Sequence, residues 1–215
     1  MARRRMATGV SVVDDQLDGG LPPGSLVALV APPETQSELL LYELTAERQT
    51  LYISTVRTEA SVKHAFDRTD VDVGNPMVAY AGHESGFDEI GDVVGRAGTE
   101  TNLVVDAANP LERRDAAAYQ SFLNKLHTYV RRTGSIAVLH CLRTDAVAVD
   151  PAAARGRETT LGIADVVFEL HRTVDASDVE TTLVASKFRG GSALTNPIKL
   201  VLTDDVTVDT SRDLA

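Results

Sequence analysis

Five short apolar runs punctuate the chain: "LVALVA" (26–31), "TLYIS" (50–54), "LVVDA" (103–107), "IAVLHCL" (136–142) and "VVFEL" (166–170). They are continuous rather than alternating, the pattern of strands covered on both faces in a parallel sheet. Helical patterns lie between most of them. The clearest is "RDAAAYQSFLNKLHTYVRRTG" (114–134), where Tyr119, Phe122, Leu123, Leu126 and Val130 follow helical spacing. Arg131 and Arg132 suit its last turn and Gly134 its stop. "EASVKHAFDR" (59–68) and "FDEIGDVVGRA" (87–97) give weaker helices, and "PMVAYAG" (76–82) a further strand. Strand and helix in alternation predict an α/β domain with right-handed crossovers.

The last quarter changes pattern. "VVFELHRTV", "ETTLVASKF" and "PIKLVLTDDVTVD" follow one another without helices, with turn signals near Asp175–Asp178 and at Gly190–Gly191. They predict an antiparallel extension on one edge of the sheet. The longest irregular piece, "RTDAVAVDPAAARGRETT" (143–160), reads as a surface loop with a short helix. With no linker, repeat or low-complexity block, the expectation is one domain over residues 8–215 behind a flexible tail at 1–7.

Composition adds little to the fold but narrows the chemistry. The 215 residues are enough for one sizeable core. Aromatics are 5% with no Trp, so that core rests on Val, Leu, Ile and Ala. The net charge of -10 argues against a non-specific nucleic-acid binder, which needs a basic face. Yet 17 Arg against 4 Lys and 19 Asp against 12 Glu resemble a protein from a salt-loving organism. Under that reading the acidity is a solubility adaptation and says little about partners. The single cysteine, Cys141, lies in an apolar run, which suits a buried reduced thiol. No window approaches a membrane span and "MARRRMATGV" has no apolar stretch behind its basic residues. A cytoplasmic location without membrane attachment is expected.

The stretch "TGVSVVDDQLDGGLPPGSLVALVAPPETQSELLLYEL" is similar to the RecA/KaiC/RadA superfamily of P-loop ATPases. The matching residues are Thr8-Gly9, Asp14, Leu17, Gly19-Gly20-Leu21-Pro22 and Gly24-Ser25, then an apolar strand and a Pro-Pro turn. The resemblance continues through "LVVDAANPL" at the Walker B position and "SKFRGGSALTNPIKLVLTDDVTV" at the K-x-R-G strand and C-terminal hairpin, over roughly residues 8–210. It implies a RecA-like α/β fold, mainly parallel and flanked by helices, with nucleotide at the strand C-terminal ends and frequent ring or filament assembly. The acidic composition makes the chain resemble a haloarchaeal KaiC-like member.

The departures from that pattern carry more than the matches. Where G-x-x-x-x-G-K-[ST] belongs, the chain reads "APPETQSE" (31–38). Ala31 and Gln36 replace the motif glycines, whose role is to let backbone N–H groups wrap phosphate. Ser37 takes the lysine position, Glu38 the magnesium-binding hydroxyl position, and Glu34 a further glycine usual in KaiC-like proteins. Two like unit charges ~4 Å apart repel by about 4 kcal/mol at an effective dielectric near 20, so Glu38 opposes a phosphate there. "TQSE" (35–38) also fits S/T-x-x-E, a capping box in which Thr35 and Glu38 satisfy each other's backbone N–H groups. The Glu-Glu pair that activates water in KaiC-like ATPases falls on Val56 and Arg57, neither of them a carboxylate.

What remains is a degenerate nucleotide site at Thr35, Gln36, Ser37, Glu38 and Asp106. In the resemblance Asp106 holds magnesium through water; the residues alone support an aspartate hydrogen-bonded to a nearby turn. His140 falls where RecA-like folds place a γ-phosphate sensor, or a histidine satisfied at the sheet rim. In the resemblance Lys187 and Arg189 of "SKFRGG" reach a nucleotide on a neighbouring subunit; the residues alone support two cations at a strand end that balance the chain's Asp residues. No metal-ligand spacing and no G-x-S-x-G elbow is present. Paired acids such as Asp14-Asp15 and Asp204-Asp205 read as solvated charge. Three functions follow. The first is a non-catalytic regulatory or assembly subunit without cofactor, partnered by copies of itself or an ATP-competent paralogue. The second is a divergent ATPase holding Mg-ATP through Asp106. The third is an accessory protein binding single-stranded DNA through Arg143, Arg155 and Arg157.

Overall fold

The computed structural model describes residues 4–144, 150–175, 178–190, 196–203 and 206–208. Its centre is a nine-stranded sheet in the order β3-β2-β4-β5-β1-β6-β7-β8-β9. The parallel strands are β1 (Leu26–Ala31), β2 (Thr50–Ser54), β3 (Met77–Tyr80), β4 (Asn102–Asp106), β5 (Ile136–Leu142) and β6 (Val166–Val174). β7 (Val179–Phe188), β8 (Ile198–Leu202) and β9 (Val206–Val208) continue the sheet antiparallel from β6. This is the mainly parallel α/β architecture with an antiparallel edge that the apolar runs predict. Every residue of β1, β2 and β4 is buried, which is why those runs do not alternate.

The helices are α1 (Ser11–Gln16), α2 (Glu38–Glu47), α3 (Glu59–Phe66), α4 (Phe87–Val94), α5 (Asn109–Glu112), α6 (Ala116–Thr133) and α7 (Pro151–Ile163). Two cores result, one on each face of the sheet. One gathers α1 and α2 with Val27, Leu29, Tyr52 and Phe168. The other sets Tyr119, Phe122, Leu123, Leu126 and Val130 of α6 on Leu26, Leu103 and Leu139. Those five α6 residues are the apolar stripe of the sequence. Asp115 caps the helix by accepting from Ala118 N–H, and Gly134 ends it at φ 68°.

Two expectations need correction here. The tail expected over 1–7 is attached from residue 4 onward. Met6 is buried and exchanges both backbone hydrogen bonds with Leu21, and Arg4 pairs with Glu100. The segment 143–160, expected as a loop with a short helix, carries instead most of the thirteen-residue α7. Asp150 caps that helix through Ala152 N–H and Pro151 opens it, a start signal that its weak apolar pattern hid. The turn at Gly191, Asp145 and the acidic pair Asp204-Asp205 lie outside the described residues. Asp14 is not simply solvated: its carboxylate accepts the N–H of Thr8 at 2.8 Å.

Candidate functional site

The C-terminal ends of β1, β2, β4 and β5 form one rim, since Ser54 pairs with Asp106, Asp106 with His140, and His140 with Leu29. Ser37, just beyond the turn after β1, joins them. His140 Nε2 lies 2.9 Å from Ser37 Oγ, and His140 Nδ1 lies 2.7 Å from Asp106 Oδ1. The other Asp106 oxygen accepts from Tyr52 Oη at 2.6 Å and from Arg57 Nη2 at 2.9 Å. The five side chains make one network, closed by the backbone of the next loop: Thr55 N–H donates to Asp106 O and Ala108 N–H to His140 O.

Electrostatics fixes the proton positions. Burial pushes the Asp106 carboxyl up, but hydrogen bonds from His140 and Tyr52 and the charges of His140 and Arg57 hold it well below the carboxylate range. An ionised Asp106 is acceptor only, so His140 Nδ1 carries a proton and donates it. Nε2 shares the second hydrogen bond of the ring with the Ser37 hydroxyl. Tyr52 is raised well above an ordinary phenol by burial and by Asp106, and stays a donor. Arg57 stays charged: the Tyr52 and Asp106 sides outweigh burial and raise it further.

The loop itself differs from expectation in one respect. Pro33–Thr35 form a short 3-10 turn, and α2 starts at Glu38 with Ser37 as N-cap and no side-chain capping bond. Thr35 Oγ1 instead donates to Pro32 O at 2.7 Å. The capping box is therefore absent: Thr35 is buried in its own tight turn, and helix α2 begins two residues too late for it to be N-cap. Gln36 adopts φ 51°, ψ 36°, a left-handed conformation that glycine takes without strain. The backbone thus turns where a glycine is usual, without one.

These residues do not fit Mg-ATP. Ser37 is bonded to a histidine and is no cation, and Glu38 stands in the first turn of α2. Both oxygens of Asp106 already have partners inside the protein. Arg57 puts a cation onto that aspartate. Asp106 is bonded to Arg57 in the nearby turn after β2, as its position suggested, and also to Tyr52 and His140 on the two neighbouring strands.

Lys187 and Arg189 lie elsewhere. Lys187 pairs with Val167 near the start of β6, away from the rim. Its ammonium donates to Leu161 O at 2.6 Å and Gly162 O at 3.1 Å, and Arg189 donates to Gly162 O at 2.9 Å. Both cations converge, as two residues of equal parity should, but on the C-terminal carbonyls of α7, where a helix dipole favours positive charge.

Two of the three residues offered for DNA are also engaged, while Arg155 is exposed on α7. Arg157 makes a two-pronged pair with Glu112, at 2.8 and 2.9 Å, and Arg143 pairs with Glu169 at 2.9 Å. Arg157 lies buried between α5 and α7. Among the described residues no group of His, Cys, Asp and Glu is arranged to hold a metal ion, and no helix is long and apolar enough to cross a membrane. Cys141 is buried, and burial raises its thiol far above its usual range.

Tyr52 and the Ser37–His140 bond are what sequence reasoning missed. Tyr52 hides within a strand run, and its phenol would be noticed only once β2 and β4 are known to be neighbours.

A model of a family of unknown function, DUF7125, matches residues 5–215. No curated protein matches the chain. Among solved structures, a KaiC-like protein from the hyperthermophilic archaeon Pyrococcus horikoshii OT3 superposes with a TM-score of 0.75 at 15% identity, covering 95% of this chain and 98% of that one. The fold is therefore RecA-like, as in that KaiC-like protein.

Proposed function

The chain belongs to DUF7125, a family of unknown function, and we propose that it is a KaiC-like subunit that neither binds nor hydrolyses ATP at this rim. Its role is regulatory or structural within an assembly of copies or of ATP-competent relatives. One observation supports the reading: Arg57, Asp106, His140 and Ser37 bond one another at the rim where the resemblance to KaiC-like proteins would put phosphate and magnesium.

The same observation weighs against the divergent ATPase. Magnesium held through Asp106 requires releasing Arg57 and leaving a buried aspartate to be shared with a second cation site. The test is isothermal calorimetry of Mg-ATP into the protein in molar KCl, with light-scattering mass in parallel. No heat at a tenth-millimolar nucleotide is the expected result. Low-micromolar binding that disappears in Asp106→Asn would overturn it.

A further inference from the structure

Ser37, His140 and Asp106 are assembled as a nucleophile, a base and an orienting carboxylate. The two hydrogen bonds are 2.9 Å from Ser37 Oγ to His140 Nε2 and 2.7 Å from His140 Nδ1 to Asp106 Oδ1. Both lie in the range needed for proton transfer and for holding one imidazole tautomer. The aspartate is ionised and fixed from behind by Tyr52 and Arg57, so it can stabilise an imidazolium. Serine follows a central parallel strand at a strand-to-helix turn. Aspartate and histidine follow in that chain order from the ends of neighbouring strands, an order that serine hydrolases on α/β sheets also use.

A second feature sets Ser37 apart from an ordinary helix-start serine. At an N-cap position a serine oxygen normally accepts a backbone N–H of the first turn. Here that bond is absent and the hydroxyl faces His140 instead. The N–H groups of Leu39 and Leu40, at the start of the ten-residue α2, donate instead to the backbone carbonyls of Gln36 and Ser37.

We propose that Ser37 is a reactive nucleophile of the acyl-transfer class, taking a carboxylic ester or thioester. The proposal rests on the reading that nucleotide does not occupy this rim. Ser37 Oγ attacks the carbonyl carbon while its proton passes to His140 Nε2. The carbonyl–leaving-group bond breaks, and the alcohol or thiol departs with that proton. Water then adds to the acyl-serine by the same exchange, releasing the acid and restoring the hydroxyl. Ser37 is 1% and His140 3% exposed, so acylation requires the rim to open over them.

The test is labelling of the intact folded protein with a fluorophosphonate. The probe's P–F bond breaks as the O–P bond forms, and fluoride leaves. Intact mass and peptide mapping are expected to show a single adduct, on Ser37, absent from Ser37→Ala. In His140→Gln the labelling rate should fall by ~10²-fold or more. Wild-type protein alone supplies an internal control in its exposed Ser61 and Ser121, so the outcome does not depend on the variant folding. Absence of an adduct on Ser37 while a serine hydrolase in the same tube is fully labelled overturns the proposal. Adducts on Ser61 and Ser121 as fast as on Ser37 do the same. Mg-ATP calorimetry reads the other claim separately: an adduct together with tight ATP binding refutes the nucleotide reading alone, and neither adduct nor ATP binding refutes the nucleophile alone.

Discussion

Two buried polar networks sit on the same sheet and behave differently. One is the rim network of Ser37, His140, Asp106, Tyr52 and Arg57. The other locks α7 to α5: Arg157 grips both oxygens of Glu112, Thr160 donates to Glu112 at 2.8 Å, and Tyr119 bonds Thr160 at 2.7 Å. In the lock the carboxylate side chain is 0% exposed and the guanidinium 10%, and every partner is turned inward. The helices meet so closely that a Cβ on Gly156 would lie 2.0 Å from Glu112 O. The rim network has an open flank at Arg57, and its serine oxygen is turned away from its own helix. The lock is built for rigidity. The rim is partly open only at Arg57, the end of the chain farthest from the serine.

The comparison can be broken most sharply at the lock. Arg157→Ala leaves a buried carboxylate without its cation and is expected to lower stability by about 3–5 kcal/mol in urea denaturation. Replacing both partners with apolar residues of similar volume should recover most of that loss. If the single variant melts within a degree of the parent, α7 is not pinned by this pair. Gly156→Ala should also destabilise, because backbone rather than a flexible side chain blocks the added methyl.

Asp106→Asn comes next, at about 2 kcal/mol, since three charge-assisted bonds weaken and Arg57 and His140 lose their counter-charge. Its pH dependence has a definite sign. The folded carboxyl lies below its unfolded value of about 3.9, so the contribution is complete above that value and is lost as pH falls through the lower folded one. The gap between parent and Asp106→Asn in urea midpoint should hold from pH 7 to 5 and close on descent below about 4. A gap that persists unchanged at pH 2 would contradict an ionised Asp106. Arg57→Ala should cost less, about 0.5–1 kcal/mol, because solvent screens the exposed flank of that pair.

How much of this was legible depends on whether a signal was local. The strand runs gave the sheet because strands buried on both faces are apolar at every position, and α6 showed its stripe because one face is solvated. The rim could be placed because "APPETQSE", Val56-Arg57 and Asp106 hold recognisable positions in a resemblance. What they bond to could not be read. Ser37 and His140 are 103 residues apart and meet only when β5 lies beside β1, and Ser37 has no flanking glycines to mark it. The lock was illegible for the same reason: Glu112 and Arg157 are 45 residues apart in two short, charged segments that look solvated. The capping box shows the opposite failure. A local pattern fitted, but the proline pair at 32–33 tightened the chain into a 3-10 turn and moved the helix start past Thr35.

That failure supplies the finest discrimination between the two kinds of site, because the capping box and the 3-10 turn place the same two side chains in different roles. In a capping box Thr35→Ala and Glu38→Ala would each remove one reciprocal bond and cost similar amounts. In the observed turn Thr35 is buried and its hydroxyl holds Pro32 O, so Thr35→Ala should cost about 1 kcal/mol. Thr35→Ser keeps the hydroxyl and should regain the larger part of it. Glu38 is partly exposed in the first turn of α2, with only its general attraction to the helix N-terminus to lose. Glu38→Ala should stay within about 0.5 kcal/mol of the parent. Equal losses in the two alanine variants, by chemical denaturation at low salt, would restore the capping box. The expected inequality would show that the loop is held by its own prolines and threonine and not by the helix that follows, which leaves the Ser37 oxygen directed at His140.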